Sequence, residues 1–243
     1  MTSRAIDQLL DAAAVGAGKR VLDVATGPGY VAARAAERGA AVVGVDAAEA
    51  MVAIARGREP ELEFRVADAE ALPFADGSFD AVVANFLVLH LGRPERAVAE
   101  LARVLAGGGR MALTVWDFAD RAPFPGIFRE AVAAAGATPP ADVPEGPDFF
   151  RFSDGDEFAR LLRGAGLQSV EVQTVEFSHR VASAEELWEG MLAGTVRTSA
   201  LIDGQSGETR GRIRAELERL ADAYRTGDGL ELPVSVKLAS GRR

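Results

Sequence analysis

Through its first 117 residues the chain alternates short runs rich in β-branched residues with alanine-rich stretches of helical character, and this alternation restricts the possible folds more than any other feature. The runs RVLDVA, AVVGVD, LEFRVA, FDAVVANF and RMALTVWD read as five strands. Among them lie a helix through Glu37, a helix from Ala48 to about Gly57 and a helix from Pro94 to about Leu105. Strands and helices taking turns make crossover units around a parallel sheet, because parallel neighbours need a long connection and both sheet faces need cover. RGA at 38–40 and GGG at 107–109 stand where helix stops belong.

The first strand runs into LDVATGPGY. Gly27 and Gly29 permit backbone conformations closed to other residues, and the free N–H groups of the helix start that follows attract anionic groups. A dinucleotide turn carries G-x-G-x-x-G. Here Ala25-Thr26-Gly27-Pro28-Gly29-Tyr30 supplies no third glycine, which weighs against a nicotinamide-dependent oxidoreductase. Asp46 ends the second strand, Asp68 follows the third and Asn85 ends the fourth. In a parallel sheet these residues emerge at the carboxyl ends of adjacent strands, where open α/β folds bind ligands. A carboxylate at Asp46 can accept from both hydroxyls of a ribose, and Asp68 with the Ala69 backbone can read the edge of an adenine. Asp46 alone could cap the following helix, but its place after an apolar strand favours ligand contact.

The motifs D-V-A-T-G-P-G, GVD-x-x-x-x-M, D-A-E-x-L-P-F and FD-x-V-x-x-N-F…E-x-x-R-V-L-x-x-G-G, in this order and spacing over about residues 19 to 117, resemble the class I S-adenosylmethionine-dependent methyltransferases. The pattern is most similar to the ubiquinone/menaquinone C-methyltransferase-like small-molecule subgroup. The resemblance implies an α/β, Rossmann-like, doubly wound seven-stranded sheet, mostly parallel, whose last strand at about 230–239 runs antiparallel, with S-adenosyl-L-methionine as cofactor. It implies that the turn from Asp23 through Ala25, Thr26, Gly27 and Gly29 holds the methionyl end, and that Asp46 binds the ribose. Met51 then packs near the adenine, Asp68 and Ala69 bind it, Asn85 offers its backbone to the amino group, and Ala47 and Phe86 complete the set. Ala25 departs from the glycine common at its place. The implied reaction is methyl transfer to carbon, oxygen or nitrogen of a small organic molecule; the alternative is a protein that binds the cofactor without turnover.

Beyond Asp117 the pattern loosens. FADRAPFPGIFREAVAAAGATPPADVPEGPDFFRF holds six prolines around one helical stretch near Phe128 to Ala135. SDGDEFARLLRGAGL has a helix start and a glycine stop, and SVEVQTVEF alternates as a strand. AEELWEGMLAG and GETRGRIRAELERLADAY read as a helical pair, and LELPVSVKLAS as a closing edge strand. We expect a single methyltransferase domain over 1–243 with helical cap insertions at about 119–152 and 183–224 that exclude water and select the substrate. Tyr30, Trp188 and Arg197 are the candidate substrate contacts, and Phe149 and Phe150 could line an apolar site. His90, inside NFLVLHL, is the candidate general base, although a histidine that props its loop is the preferred reading.

A net charge of −9 opposes phosphate backbones and anionic lipid surfaces, so the expected partner is a small molecule, without nucleic acid or membrane. The absence of cysteine removes disulfides and thiolate sites, and two histidines far apart argue against a metal site. No apolar run approaches a membrane span or an export signal, so the cytoplasm is the expected compartment. No feature fixes an oligomeric state.

Overall fold

The five expected strands form as β1 (Arg20–Val24), β2 (Ala41–Asp46), β3 (Glu63–Val66), β4 (Phe79–Asn85) and β5 (Leu105–Trp116), in a computed structural model that describes residues 3–138, 147–194 and 196–243. They pair in parallel in the order β3-β2-β1-β4-β5. Val21 to Val24 and Ala81 to Ala84 are buried without a break, as strands covered on both faces must be. From β1 the chain steps to β2 and β3 through α2 (Tyr30–Glu37) and α3 (Glu49–Arg58), then crosses back to β4 on the other side of β1. This reversal opens a crevice at the carboxyl ends of β1 and β4. The helix after β4, α4 (Pro94–Val104), starts with a proline in its first turn, where no N–H is needed.

Helix α1 (Ser3–Ala12) precedes β1 and has no counterpart in the sequence reading. Ile6, Leu9 and Leu10 are buried, and Asp7 pairs with Arg34 and Arg38 of the α2 region at 2.8 Å each. The glycines 107–109, read as a helix stop, lie within β5 instead, because α4 ends at Val104 and the β4–β5 register shifts between Phe79 and Ala81.

The later elements are α5 (Pro123–Ala134), α6 (Gly155–Gly164), β6 (Gln168–Val181), α7 (Ala184–Gly194), α8 (Val196–Asp203), α9 (Gly207–Ala221), β7 (Arg225–Thr226) and β8 (Gly229–Arg242). Asp154 caps α6 by accepting the Glu157 N–H at 2.9 Å. Helix α5 begins at Pro123, five residues ahead of the expected stretch, since proline suits a first helical turn. The expected helical pair is a trio, with α8 between its members. β8 runs antiparallel to β5, with Arg110 opposite Arg242 and Trp116 opposite Val236. It is no edge strand: β8 sits between β5 and β6, and Val236, Leu238, Ala239 and Ser240 are buried because both neighbours cover it. The path β3-β2-β1-β4-β5-β8-β6 thus has the implied seven strands, and the two-residue β7 pairs with β8 beside it.

The chain divides into two compact units. The first comprises Met1–Asp117, Gly146–Val175 and Val236–Arg243, and the second Phe118–Glu145 and Glu176–Ser235. The expected insertions differ from the second unit at their borders, since 147–152 belong to the first unit and the second reaches into β6 and β8. Within the second unit α5 packs on α9, whose Ile213 and Leu217 are fully buried, and Phe128 stacks on Trp188 with ring centroids 6.2 Å apart. Among the described residues no helix is long and apolar enough to cross a membrane.

Candidate functional site

At the carboxyl end of β1 the chain makes the glycine turn. Asp23 is fully buried; its Oδ2 accepts the Thr26 hydroxyl at 2.6 Å, and among the described residues its Oδ1 has no hydrogen-bond partner. Burial pushes the Asp23 carboxyl up to about 7; the Thr26 hydroxyl and the Ala32 N–H pull it back down, and the Asp46 charge adds to the rise. The turn itself carries three left-handed residues, Ala25 at φ 58°, Gly27 at 53° and Gly29 at 87°. For Ala25 this costs about 1 kcal/mol, which a glycine would escape. A side chain at Gly29 would be strained at φ 87°, and its Cβ, 3.2 Å from the Phe64 ring and 3.3 Å from Ala55, would require both to give by a few tenths of an ångström. A Cβ at Gly27 would meet nothing within 4 Å, so the turn faces open space at that point.

Asp46 closes the turn from the neighbouring strand. Oδ2 accepts the Gly27 N–H and Oδ1 the Ala48 N–H, each at 2.9 Å. Each oxygen keeps a second lone pair, and the side chain is only half-buried, so the carboxylate can still receive hydroxyl donors. Ala47 beside it is exposed, and Met51 is half-buried in the first turn of α3. After β3, Asp68 is exposed and folds its Oδ1 onto the Glu70 N–H at 2.9 Å, while Ala69 is buried. This loop is pinned by Glu70, paired with Arg93 at 2.6 Å, and by Glu100, which accepts the Leu72 N–H.

β4 delivers Asn85 and Phe86. The sequence reading missed what holds them. Thr114 of β5, fully buried and in register with Asn85, donates its hydroxyl to Asn85 Oδ1 at 2.6 Å. The Phe86 N–H donates to both the Thr114 carbonyl at 3.1 Å and the Thr114 Oγ1 at 3.2 Å. Phe86 has φ 60°, and its ring stacks on Trp116 with centroids 4.5 Å apart. The only signal in the sequence was a threonine two residues before the tryptophan of TVWD, which carries no meaning until the β4–β5 register is known.

His90 lies in a short 3-10 turn after β4, exposed, with its ring edge-on to Phe149 at 5.9 Å. The segment that carries Phe149 is anchored where Ser153 donates to the Trp116 carbonyl at 2.9 Å and Arg151 pairs with Glu95 at 2.7 Å. Tyr30 is exposed at the start of α2, with the Arg58 guanidinium 4.4 Å from its ring centroid. Trp188 belongs to the second unit. The side chain of Arg197 lies outside the described residues.

The first unit therefore brings the turn 23–29, Asp46 and Asn85 to the carboxyl ends of three consecutive strands, β2, β1 and β4. The groups fit a nucleoside-bearing amino acid: hydroxyl acceptors at Asp46, the amides of a helix start, open space at Gly27, and an unsatisfied carboxyl oxygen at Asp23. A family model described as a methyltransferase domain matches residues 22–113. A demethylmenaquinone methyltransferase of Renibacterium salmoninarum is 31% identical over 175 residues, covering 69% of this chain and 74% of its own. A malonyl-[acyl-carrier protein] O-methyltransferase of Geobacter sulfurreducens is 34% identical over 233 residues, covering 92% and 84%. In fold, the chain is similar to phosphoethanolamine N-methyltransferase 2 of Haemonchus contortus, solved with S-adenosyl-L-methionine, at a TM-score of 0.59 and 18% identity over 98% of this chain and 52% of that one. The chain belongs to the class I S-adenosylmethionine-dependent methyltransferases, in the ubiquinone/menaquinone C-methyltransferase-like subgroup that acts on small molecules.

Proposed function

We propose that the acceptor is a reduced quinone-type ring, methylated at carbon. The observation that carries this reading is the Phe86–Trp116 stack at the carboxyl ends of β4 and β5, which offers rigid aromatic surface beside Asn85. The similarity to a demethylmenaquinone methyltransferase supports it. S-adenosylmethionine, when bound, supplies a methyl group already activated by its sulfonium. The chain's task is then to align the acceptor for in-line attack and to exclude water. Asp46 takes the ribose hydroxyls, the turn from Asp23 to Gly29 the methionyl end, Met51, Asp68 and Ala69 the adenine, and Asn85 with Phe86 border the reacting side. His90 holds the loop after β4.

Methyl transfer from labelled S-adenosylmethionine to reduced demethylmenaquinone tests the reading, and label in a methyl group bonded to a ring carbon is the expected result. A second reading, O-methylation of a malonyl thioester carboxylate, is favoured by the broad coverage of the Geobacter relative. Label on malonyl-acyl carrier protein with none on the quinol would replace the first reading by the second. Cofactor binding without turnover on either acceptor would overturn both readings of the acceptor.

A further inference from the structure

We propose that Thr114 is a positioning residue that fixes the Asn85 carboxamide with its Nδ2 amide turned outward, as the hydrogen-bond donor that receives an oxygen of the methyl-accepting molecule. The inference rests on the methyl-transfer reading above and names the polar chemistry of its acceptor.

The threonine hydroxyl has one proton and two lone pairs. One lone pair takes the Phe86 N–H at 3.2 Å, and among the described residues the proton has one acceptor in reach, Asn85 Oδ1 at 2.6 Å. The carboxamide is thereby oriented. Were it turned over, an amide N–H would point at the hydroxyl, and a fully buried Thr114 would be left with a proton and no acceptor, a costly arrangement. With Oδ1 held inward, the Nδ2 group is the end left over. It has no hydrogen-bond partner among the described residues, and Asn85 is half-buried at the last position of β4. A ligand that covers it must bring a lone pair.

The order of the strands says which ligand. Asp68, Asp46 and the glycine turn follow β3, β2 and β1, which together make one half of the parallel sheet, whereas Asn85 and Thr114 stand on β4 and β5, the first two strands of the other half. The cofactor's ribose, adenine and methionyl end have side-chain and turn partners on the first half, and from the second half only the Asn85 backbone is assigned to it. The Asn85 donor begins the second half and adjoins the Phe86–Trp116 stack, so the oxygen it meets belongs to the acceptor: a phenolic, enolic or carboxylate oxygen next to the methylated atom. Phe86, left-handed at φ 60° and held by two acceptors on Thr114, cannot swing away and carry Asn85 with it.

Three variants and two readouts decide the matter. N85D keeps an oxygen for the Thr114 hydroxyl and replaces the outward donor by an acceptor, T114V removes the hydroxyl at nearly constant shape, and T114S restores it. In protein saturated with S-adenosylhomocysteine, the Asn85 side-chain amide signals in nitrogen-resolved NMR should shift when reduced demethylmenaquinone or malonyl-acyl carrier protein is added, in the wild type and T114S but not in T114V. Turnover on the responding acceptor should fall by about 10²-fold in N85D and about 10-fold in T114V, with T114S within about twofold of the wild type, as expected for one preorganised donor. Calorimetric affinity for S-adenosylmethionine should stay within about twofold in T114V and T114S, which leave the Asn85 backbone and its charge as they are. The inference is overturned if neither probe moves the Asn85 amide, if N85D keeps wild-type turnover, or if T114S is as impaired as T114V. A loss confined to cofactor affinity would assign the donor to the cofactor's carboxylate and overturn it too. A wild type that binds no S-adenosylmethionine would instead bring down the parent reading.

Discussion

Asp23 is held in the folded chain at a pKa of about 7, against 3.8 for the free carboxyl, because burial disfavours its charge. The folded state therefore keeps this proton more firmly than the unfolded one. Its stabilising contribution is fully present below about pH 4 and is lost as pH rises through about 7. Urea unfolding at about pH 5 and about pH 8 should show the wild type losing stability over that interval, and D23N, always neutral, losing much less. An equal slope in both would place the titration elsewhere. A cation at the turn favours ionised Asp23, so affinity for S-adenosylmethionine should climb over the same interval, more than for its uncharged-sulfur product. Asp46 is expected to behave differently. D46A should weaken cofactor binding by about 2–4 kcal/mol, measured by calorimetry, because a charged acceptor leaves a partly covered cleft. It should also lower the melting temperature, because the Gly27 and Ala48 N–H groups lose their acceptor. A binding loss under about 0.5 kcal/mol would make Asp46 a brace for the turn and the start of α3 alone. These two carboxylates were legible from the sequence because they stand at or beside strand ends in a parallel pattern. Thr114 was not, since its meaning comes from the register that sets it opposite Asn85.

At the scale of elements, the loop from Phe86 to Arg93 carries the remaining candidate. His90 touches Phe149 edge-on, and Arg93 at the loop's far end is tied to Glu70. A residue that braces such a loop affects stability and binding together, so H90A should lower the melting temperature by a few degrees, about 1 kcal/mol, with turnover at saturation reduced less than about tenfold. A loss of about 10²–10⁴-fold with unchanged melting would mark His90 as a base in the reaction. The core elements were legible because β-branched runs and alanine-rich stretches differ in period. What escaped had no such contrast. Helix α1 has its apolar residues at Ile6, Leu9 and Leu10, within an alanine-rich segment that reads as helix or coil alike, and α8 is too short to declare itself between α7 and α9. β8 was legible as a strand but not as an interior one, because LELPVSVKLAS alternates at its start, and its neighbours on both sides bury Val234–Val236 and Leu238–Gly241 about a half-buried Lys237.

For the whole molecule, sequence and space are interleaved. The chain leaves the first compact unit after Asp117, re-enters it, leaves again after Val175 and comes back at Val236. Its parallel strands lie far apart in sequence from the partners that finish the sheet, and such contacts form slowly. The position of β8 sets the timing. β6 has its place at the end of the sheet next to β8, and β5 meets β8 along Arg110–Trp116, so neither can complete its pairing before residues 229–242 are available. On the ribosome, where the chain emerges from its amino end, the outer side of β5 and all of β6 must wait while α7, α8 and α9 are made. An unpaired strand edge is a template for other chains. A chain stopped after Thr226 should therefore collect in the pellet of a cell-free translation reaction, and adding a holding chaperone should return it to the supernatant, whereas the chain through Arg243 should need no such help. Equal recovery of both would mean that β5 and β6 tolerate the wait. β8 is in this sense a delayed keystone: the nascent protein stays vulnerable to its neighbours until residues 229–242 have been made.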